Sequence, residues 1–160
     1  MEKNKKIMTL VIIHDHPRIL LGKKKRGLGE GRWNGFGGKV EKGETIEGAA
    51  KRELLEEAGI KVDEIEKIGI SEFEWQDGAD LLEVHIFKGK EFKGEPKESE
   101  EMSPKWFFAD EIPFGEMWPD DVYWFPYFMR NKKFRGKFVF DENDKVKDYS
   151  LKEITDSKWE

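Results

Sequence analysis

Short apolar segments separated by turn residues occupy most of the chain, and their spacing predicts more strands than helices. Residues 7–14 and 18–21 are rich in β-branched side chains and flank the turn signal Asp15-His16-Pro17, so they are predicted to form a hairpin. Residues 27–31 form a glycine-rich loop, and residues 110–112 a helical turn. Further strands are predicted at residues 33–36, 65–75, 81–87, 106–108, 134–140 and 146–151.

Two segments have the pattern of helices. Residues 45–58 begin at Thr45 and end before Gly59, which is expected to close the helix as its C-terminal glycine. Residues 120–129 follow Pro119, and Pro126 within them is expected to kink or shorten that helix. Strands interleaved with two helices predict an α/β fold, an α/β/α sandwich around a central mixed β-sheet, in one domain spanning residues 1–160.

Composition limits the classes of partner. Apolar residues make up 37% of the chain and aromatic residues 13%, so a packed core is expected although 39% of residues are charged. The net charge of -5 argues against binding to a nucleic-acid polymer, whose backbone attracts basic surfaces. A nucleotide that carries its own Mg²⁺ remains compatible with this charge, because the metal offsets it.

The absence of cysteine excludes disulfides, thiolate zinc sites and a cysteine nucleophile. The apolar run at residues 7–13 is too short for a signal peptide or a membrane span. A cytoplasmic protein with no membrane partner is therefore expected.

The first predicted helix carries the most informative polar residues. Glu53, Glu56 and Glu57 are spaced i, i+3 and i+4, so they share one helical face. Three carboxylates on one face repel one another, and their oxygens suit Mg²⁺ or Mn²⁺. The alternative is a solvated acidic helix whose glutamates pair with lysines.

The spacing around this face decides between the two interpretations. Residues 38–60 fit the pattern G-x5-E-x7-R-E-U-x-E-E-x-G-U, where U is a bulky apolar residue. The fixed positions are Gly38, Glu44, Arg52, Glu53, Leu54, Glu56, Glu57, Gly59 and Ile60. This pattern is the Nudix box, and by it the chain resembles the Nudix hydrolase superfamily.

Other segments resemble one branch of that superfamily, the eukaryotic-type MutT homologues that act as 8-oxo-dGTP diphosphatases. These segments are MTLVII at residues 8–13, GRWNGFGGKV at residues 31–40 and EMWPDDVYWFP at residues 116–126. The resemblance implies Mg²⁺-dependent hydrolysis of oxidised purine nucleoside triphosphates, such as 8-oxo-dGTP and 2-hydroxy-dATP, to monophosphate and pyrophosphate. Such an enzyme would sanitise the nucleotide pool and so prevent DNA damage, and the family expectation is a monomer.

The resemblance also implies roles for the acidic residues. The backbone carbonyl of Gly37 and the carboxylates of Glu53, Glu56, Glu57 and Glu101 would hold the metal. Glu53, Glu57 or Glu101 would deprotonate or orient the attacking water, and the sequence does not separate base from ligand. Glu101 has an even alternative as a solvated residue of the acidic run at residues 98–101. The remaining positions are assigned structural roles: Glu44 and Arg52 as an ion pair between loop and helix, and Gly38 and Gly59 as turns.

Base recognition follows from group chemistry. The amide of Asn34 both donates and accepts, so it can contact a purine edge with two hydrogen bonds. Asp120 and Asp121 are neighbours, and burial of both would leave one protonated, so that the pair donates or accepts according to the base. An acidic pair that complements a helix dipole is the alternative. Trp118 would stack on the purine face.

The resemblance places further residues around the substrate. Phe73, Leu82, Met102 and Phe140 match positions of the pocket wall, although each would fit an ordinary core. Thr9 and Lys24 match the sugar side. Leu28 and Leu82 depart from the usual family residues, which puts the ranking of oxidised bases in doubt but not the reaction class.

Two other functions are compatible with the sequence. One is a Nudix hydrolase of a different nucleoside diphosphate derivative, such as ADP-ribose. The other is a nucleotide-binding module without catalysis, which the intact set of Glu53, Glu56 and Glu57 disfavours because a binder has no need of three repelling carboxylates.

Overall fold

A computed structural model describes residues 3–156 and Trp159. The described residues form two helices, α1 (Ile46–Ala58) and α2 (Asp121–Met129), and one sheet. The strands are β1 (Asn4–Asp15), β2 (Arg18–Lys24), β3 (Trp33–Asn34), β4 (Glu66–Trp75), β5 (Asp80–Gly89), β6 (Met102–Phe108), β7 (Phe134–Phe140) and β8 (Val146–Glu153). The predicted α/β class is confirmed.

The sheet is mixed, as predicted. Its strand order is β3-β2-β1-β5-β4-β7-β8, and β6 pairs with β2 outside this path. β1 runs parallel to β5, and β4 runs parallel to β7, whereas the other pairs are antiparallel. The two parallel pairs bring β1, β5, β4 and β7 side by side at the centre.

Alternation along β1 divides the core into two layers. Val11 and Ile13 join a cluster that includes Leu54 and Ala58 of α1. Ile12, between them, joins the other cluster. That cluster includes Trp124 together with phenylalanines of α2 and β7. Because successive side chains of a strand point to opposite faces, the two helices cover opposite faces of the sheet.

The ends of α1 follow from its sequence. The Thr45 side chain accepts a hydrogen bond from the Gly48 N–H at 3.0 Å, which satisfies one of the free donors of the first turn. Gly59 has φ of 71° and ends the helix, as predicted, because this left-handed conformation favours glycine. The two ends of α1 are therefore determined by Thr45 at its start and by Gly59 at its end.

Pro126 was predicted to kink or shorten α2, and the helix is not shortened there. The helix continues for three residues beyond it to Met129, with Trp124, Phe125 and Phe128 buried against the sheet. Burial of these aromatic rings outweighs the lost N–H donor of one proline. Within residues 3–156, no helix is long and apolar enough to cross a membrane.

Most strands differ in length from the prediction: β7 has the predicted bounds, whereas β1, β2, β5 and β8 extend beyond theirs. β3 contains only Trp33 and Asn34, after which Phe36 makes an isolated bridge to Val11. β6 begins at Met102, earlier than expected, because its polar residues and Pro104 conceal a strand that pairs along its whole length with β2. Among the strands that the structure describes, β6 pairs with β2 alone, and proline is tolerated on such an edge.

Candidate active site

An arginine joins the loop before α1 to the helix itself. Arg52 donates to both carboxylate oxygens of Glu44, from Nε at 2.7 Å and from Nη2 at 2.9 Å. Its Nη1 also donates to Glu53 at 2.8 Å and to Glu56 at 3.3 Å. These hydrogen bonds lower the pKa of Glu44 to about 2. The ion pair expected from the sequence is present, and the same guanidinium separates two of the repelling carboxylates.

The glycine turn before α1 has no room for side chains. A Cβ at Gly37 would lie 1.8 Å from the Thr9 carbonyl oxygen. A Cβ at Gly38 would lie 2.8 Å from the Glu53 carboxylate carbon. The backbone therefore passes directly against α1 and β1, and Thr9 N–H donates to the Gly38 carbonyl at 2.9 Å.

Glu57 lies in the inner part of this site. Its side chain is buried, and one carboxylate oxygen accepts from the Gly37 N–H at 2.9 Å. Burial raises the pKa of Glu57 to about 7, and the negative charges of Glu53 and Glu101 add to this effect. The three carboxylates are therefore close enough to repel one another, although they belong to α1 and to the segment before β6.

Basic residues of β2 and of the loop after it surround Glu101. Arg26 forms an ion pair with Glu101 at 2.6 Å, and Lys24 lies 3.6 Å from the same carboxylate. These contacts, led by the Arg26 hydrogen bond, lower the pKa of Glu101. Glu101 is therefore held by basic partners at the exposed edge of the acidic site.

The donor set suits a hard divalent cation. Glu53 and Glu101 both act electrostatically on Glu57, and Glu56 is more exposed on the same face of α1. In residues 3–156 no three acidic or histidine side chains already converge on one point. Carboxylates that repel one another, with one of them buried, are stabilised when a cation lies among them.

A cavity of about 250 Å³ extends from this acidic site along the face of the sheet that carries α2. All ten residues assigned to the substrate from the sequence line it, namely Thr9, Lys24, Asn34, Phe73, Leu82, Met102, Trp118, Asp120, Asp121 and Phe140. Gly37, Gly38 and Glu57 line the same cavity. The cavity thus joins the substrate residues to Glu57 and the glycine turn, whereas Glu53, Glu56 and Glu101 lie outside its lining.

The two aspartates at the start of α2 are both buried in the wall of this cavity. Asp120 accepts from Trp124 Nε1 at 2.8 Å and makes no side-chain cap of the helix, and Asp121 Oδ2 has no hydrogen-bond partner in the described structure. Burial raises the pKa of Asp120 to about 6. Burial and the neighbouring Asp120 raise the pKa of Asp121 well above its usual range. One protonated carboxyl beside one that ionises more easily is the state expected near neutral pH.

Asn34 is oriented by its own backbone. Its Oδ1 accepts from the Gly35 N–H at 2.9 Å, which leaves the amide N–H groups available to the cavity. Leu28, which departs from the family pattern, is 63% exposed at the cavity edge. The Asn34 amide is thus held in a fixed orientation on the cavity wall, whereas the exposed Leu28 leaves the outer edge of the cavity open.

Sequence reasoning missed several residues of the cavity. Trp75, Val84 and Ile86 line it because they follow Phe73 and Leu82 at two-residue intervals on β4 and β5. This period was available in the sequence and could have identified them. Arg32, whose guanidinium carbon lies 4.2 Å from the centre of a Trp118 ring, had no such signal because the two residues are distant in sequence.

The chain matches the model of the NUDIX domain over residues 4–128. It is 54% identical over 149 residues to the oxidized purine nucleoside triphosphate hydrolase of Mus musculus, which covers 93% of this chain and 96% of the relative. It is 52% identical to the protein of the same description from Danio rerio, over 94% of this chain and 97% of the relative.

A solved structure has the same fold. The MutT protein from Bacillus halodurans superposes with a TM-score of 0.82 and is 31% identical, over 91% of this chain and 97% of that protein. The match includes the mixed sheet and both helices that position the site.

Proposed function

The chain belongs to the Nudix hydrolase family, and on that premise we propose that it hydrolyses oxidised purine nucleoside triphosphates to monophosphate and pyrophosphate. The proposed substrates are 8-oxo-dGTP and 2-hydroxy-dATP, with Mg²⁺ as the cofactor and Mn²⁺ as a substitute. The mouse and zebrafish relatives carry a description that agrees with this substrate class.

One observation carries the proposal: an aromatic cavity with two buried aspartates opens onto the acidic face of α1. A cavity of this kind suits a flat base with hydrogen-bonding edges, and the acidic face suits a metal-bound phosphate chain. A nucleotide with its base against Trp118 would extend its phosphates towards Glu57, because both residues line the same cavity.

The phosphate chemistry is assigned to α1 and its loop. Glu53, Glu56, Glu57, the Gly37 carbonyl and Glu101 would hold the divalent cation. When bound, the cation neutralises phosphate oxygens and makes a coordinated water more acidic. Arg52 keeps Glu53 and the Glu44 loop in place, and the Gly37 N–H fixes one oxygen of Glu57. Glu53 or Glu57 would orient the water and take its proton.

Base selection is assigned to the opposite end of the cavity. A protonated Asp121 donates a hydrogen bond, whereas an ionised Asp120 accepts one, and a shift of the proton reverses these roles. Such a pair accommodates both 8-oxoguanine and 2-hydroxyadenine, which present different edges. Asn34 would donate from its free amide N–H groups to a purine acceptor.

We also propose an oligomeric state, a location and a class of partner for the enzyme. It acts as a monomer on free nucleotides in the cytoplasm, with no nucleic-acid polymer or membrane as partner. The net charge of -5 supports a small metal-bound substrate over a polymer.

Product analysis tests the reaction class. Chromatography of reactions with Mg²⁺ and either 8-oxo-dGTP or ADP-ribose would resolve monophosphate, diphosphate, pyrophosphate and ribose phosphate. Conversion of 8-oxo-dGTP to monophosphate and pyrophosphate is expected, with Glu57→Gln as the inactive control.

Two other results would redirect the assignment. Cleavage of ADP-ribose in preference to 8-oxo-dGTP would show a Nudix hydrolase of a different substrate. Tight binding of a nucleoside monophosphate, with no turnover of either compound and no difference from Glu57→Gln, would show a binding module.

A further inference from the structure

Arg32 lies against the aromatic residue that we assign to base stacking. Its guanidinium carbon is 4.2 Å from the centre of a Trp118 ring, within the range of a cation–π interaction. The indole of Trp118 itself lines the cavity, where it also contacts Trp75 and Phe140. A charged group is therefore built onto the aromatic wall of the substrate site.

An ordinary ion pair does not explain this arginine. In the part of the chain that the structure describes, Arg32 has no carboxylate within salt-bridge distance, and its Nη1 is buried without a hydrogen-bond partner. A buried guanidinium nitrogen without an acceptor destabilises the protein. The interactions that compensate for this are the stack with Trp118 and the attraction to Asp120 and Asp121.

The backbone holds Arg32 in this position. Its N–H donates to the Gly29 carbonyl at 3.0 Å, and its carbonyl accepts from the Lys24 N–H at 2.9 Å. Gly29 itself lies on the edge of the indole, because a Cβ there would be 2.9 Å from Trp118 Nε1. One short turn thus contacts the indole with a glycine at its edge and a guanidinium over its ring.

We propose that Arg32 is a positioning and specificity-determining residue, which fixes Trp118 from one face so that an electron-rich purine stacks on the other. This inference rests on the proposed function, because it assigns the base to Trp118. It adds Arg32, the residue that follows the glycine-rich loop, to the set that selects the base, and Arg32 acts through the indole of Trp118.

The physical reason lies in the charge distribution of the aromatic ring. A guanidinium over one face draws π-electron density towards itself, so the opposite face becomes less negative. A purine with an additional oxygen substituent is richer in π electrons than the unmodified base, and it stacks better on such a face. Arg32 therefore favours oxidised over ordinary purines without a direct hydrogen bond to the oxygen.

The test compares Arg32→Met with Arg18→Met. Arg18 offers a matched control, because its guanidinium carbon lies 4.3 Å from the centre of a Trp106 ring, outside the cavity lining. For Arg32→Met we expect KM for 8-oxo-dGTP to rise by roughly five-fold and kcat to change by less than about two-fold. The preference for 8-oxo-dGTP over dGTP should fall, whereas Arg18→Met should retain both values.

Binding of 8-oxo-dGMP, followed by tryptophan fluorescence, provides the same comparison without turnover. Arg32→Lys keeps the charge and loses the planar stack, so its Kd should lie between those of the wild type and Arg32→Met, even if Arg32→Met folds poorly. Wild-type KM, Kd and preference in both Arg32 variants would overturn the inference. Equal losses in Arg18→Met would also overturn it. A wild-type enzyme without preference for 8-oxo-dGTP would instead contradict the proposed function.

Discussion

At the scale of the residue, burial changes what Asp120 and Asp121 can do. Both residues are 3% exposed, and burial raises the pKa of Asp120 to about 6 and the pKa of Asp121 well above its usual range. The adjacent pair in the sequence predicted this shared proton because two like charges in a dry site cannot both ionise. It did not predict Arg32, whose attraction lowers both pKa values, because that contact depends on the folded chain.

Asp121→Asn tests this burial through stability. The folded protein holds the proton of Asp121 at pH values where the unfolded chain has released it, so the contribution of Asp121 to wild-type stability falls as pH rises above about 4. An amide does not titrate and can donate to Asp120 as the protonated carboxyl does. The free energy of unfolding of the variant, relative to wild type, should therefore increase between about pH 4.5 and about pH 7.5.

Urea unfolding at the two pH values measures this difference. Groups common to both proteins cancel in the comparison. A difference that is the same at both pH values would show that Asp121 does not hold a proton in the folded state.

Asp120→Asn tests the switchable pair through catalysis. The variant keeps an acceptor for Trp124 Nε1 but loses the ionised form of the pair. We expect lower kcat/KM, by at least about ten-fold for one of 8-oxo-dGTP and 2-hydroxy-dATP, and a changed ranking of the two. An unchanged rate and ranking in steady-state assays of both substrates would refute the role.

At the scale of the element, α1 was predictable because its sequence determines both its ends and its acidic face. Thr45 and Gly59 close the helix, and the Glu44–Arg52 ion pair follows from residues that the motif itself contains. β6 was predicted too short, because its pairing with β2 depends on a distant strand and its polar, proline-containing sequence gives no apolar alternation. Local signals thus determine helix ends better than edge strands.

Arg52→Lys tests how α1 is held. A lysine cannot donate to Glu44 with two N–H groups and to Glu53 with a third, so the carboxylates lose their fixed positions. We expect kcat to fall by at least about ten-fold and KM to change little, because the base cavity is formed by other elements. Lys51→Ala, on the same helix, is the matched control, since Lys51 Nζ donates only to the exposed Asp63 carbonyl.

Steady-state kinetics of Arg52→Lys and Lys51→Ala measure these changes in kcat and KM. A rise in KM with unchanged kcat in Arg52→Lys would place Arg52 in substrate binding and contradict a role in holding the carboxylates.

At the scale of the whole molecule, the site lies where the two core layers meet the centre of the sheet. The base cavity belongs to the α2 layer, with Phe73 and Phe140 stacked in it, whereas the acidic helix belongs to the other layer. Gly37 and Gly38 connect the two, since only a chain without side chains passes between Thr9 and Glu53. Ten residues of the cavity lining were assigned from the sequence, whereas Trp75, Val84 and Ile86 were missed, and the continuity of the lining across the sheet required the fold.

Removal of the metal should affect the function of the acidic helix and leave that of the base cavity. Chelation with EDTA is expected to abolish hydrolysis, because the phosphate charge is no longer offset. Calorimetric binding of 8-oxo-dGMP should persist in EDTA with Kd changed by less than about ten-fold, since base contacts provide most of the affinity of a monophosphate. Loss of both together would show that the cation also organises the base cavity.

The central claim is that one continuous site selects an oxidised purine and hydrolyses its triphosphate. The most direct test is the ratio of kcat/KM for 8-oxo-dGTP to that for dGTP, measured with Mg²⁺ in a single reaction that contains both substrates. We expect a ratio of at least about ten, because the unmodified base cannot complete all of the hydrogen bonds that the site offers. A ratio near one, or a preference for dGTP, would contradict it.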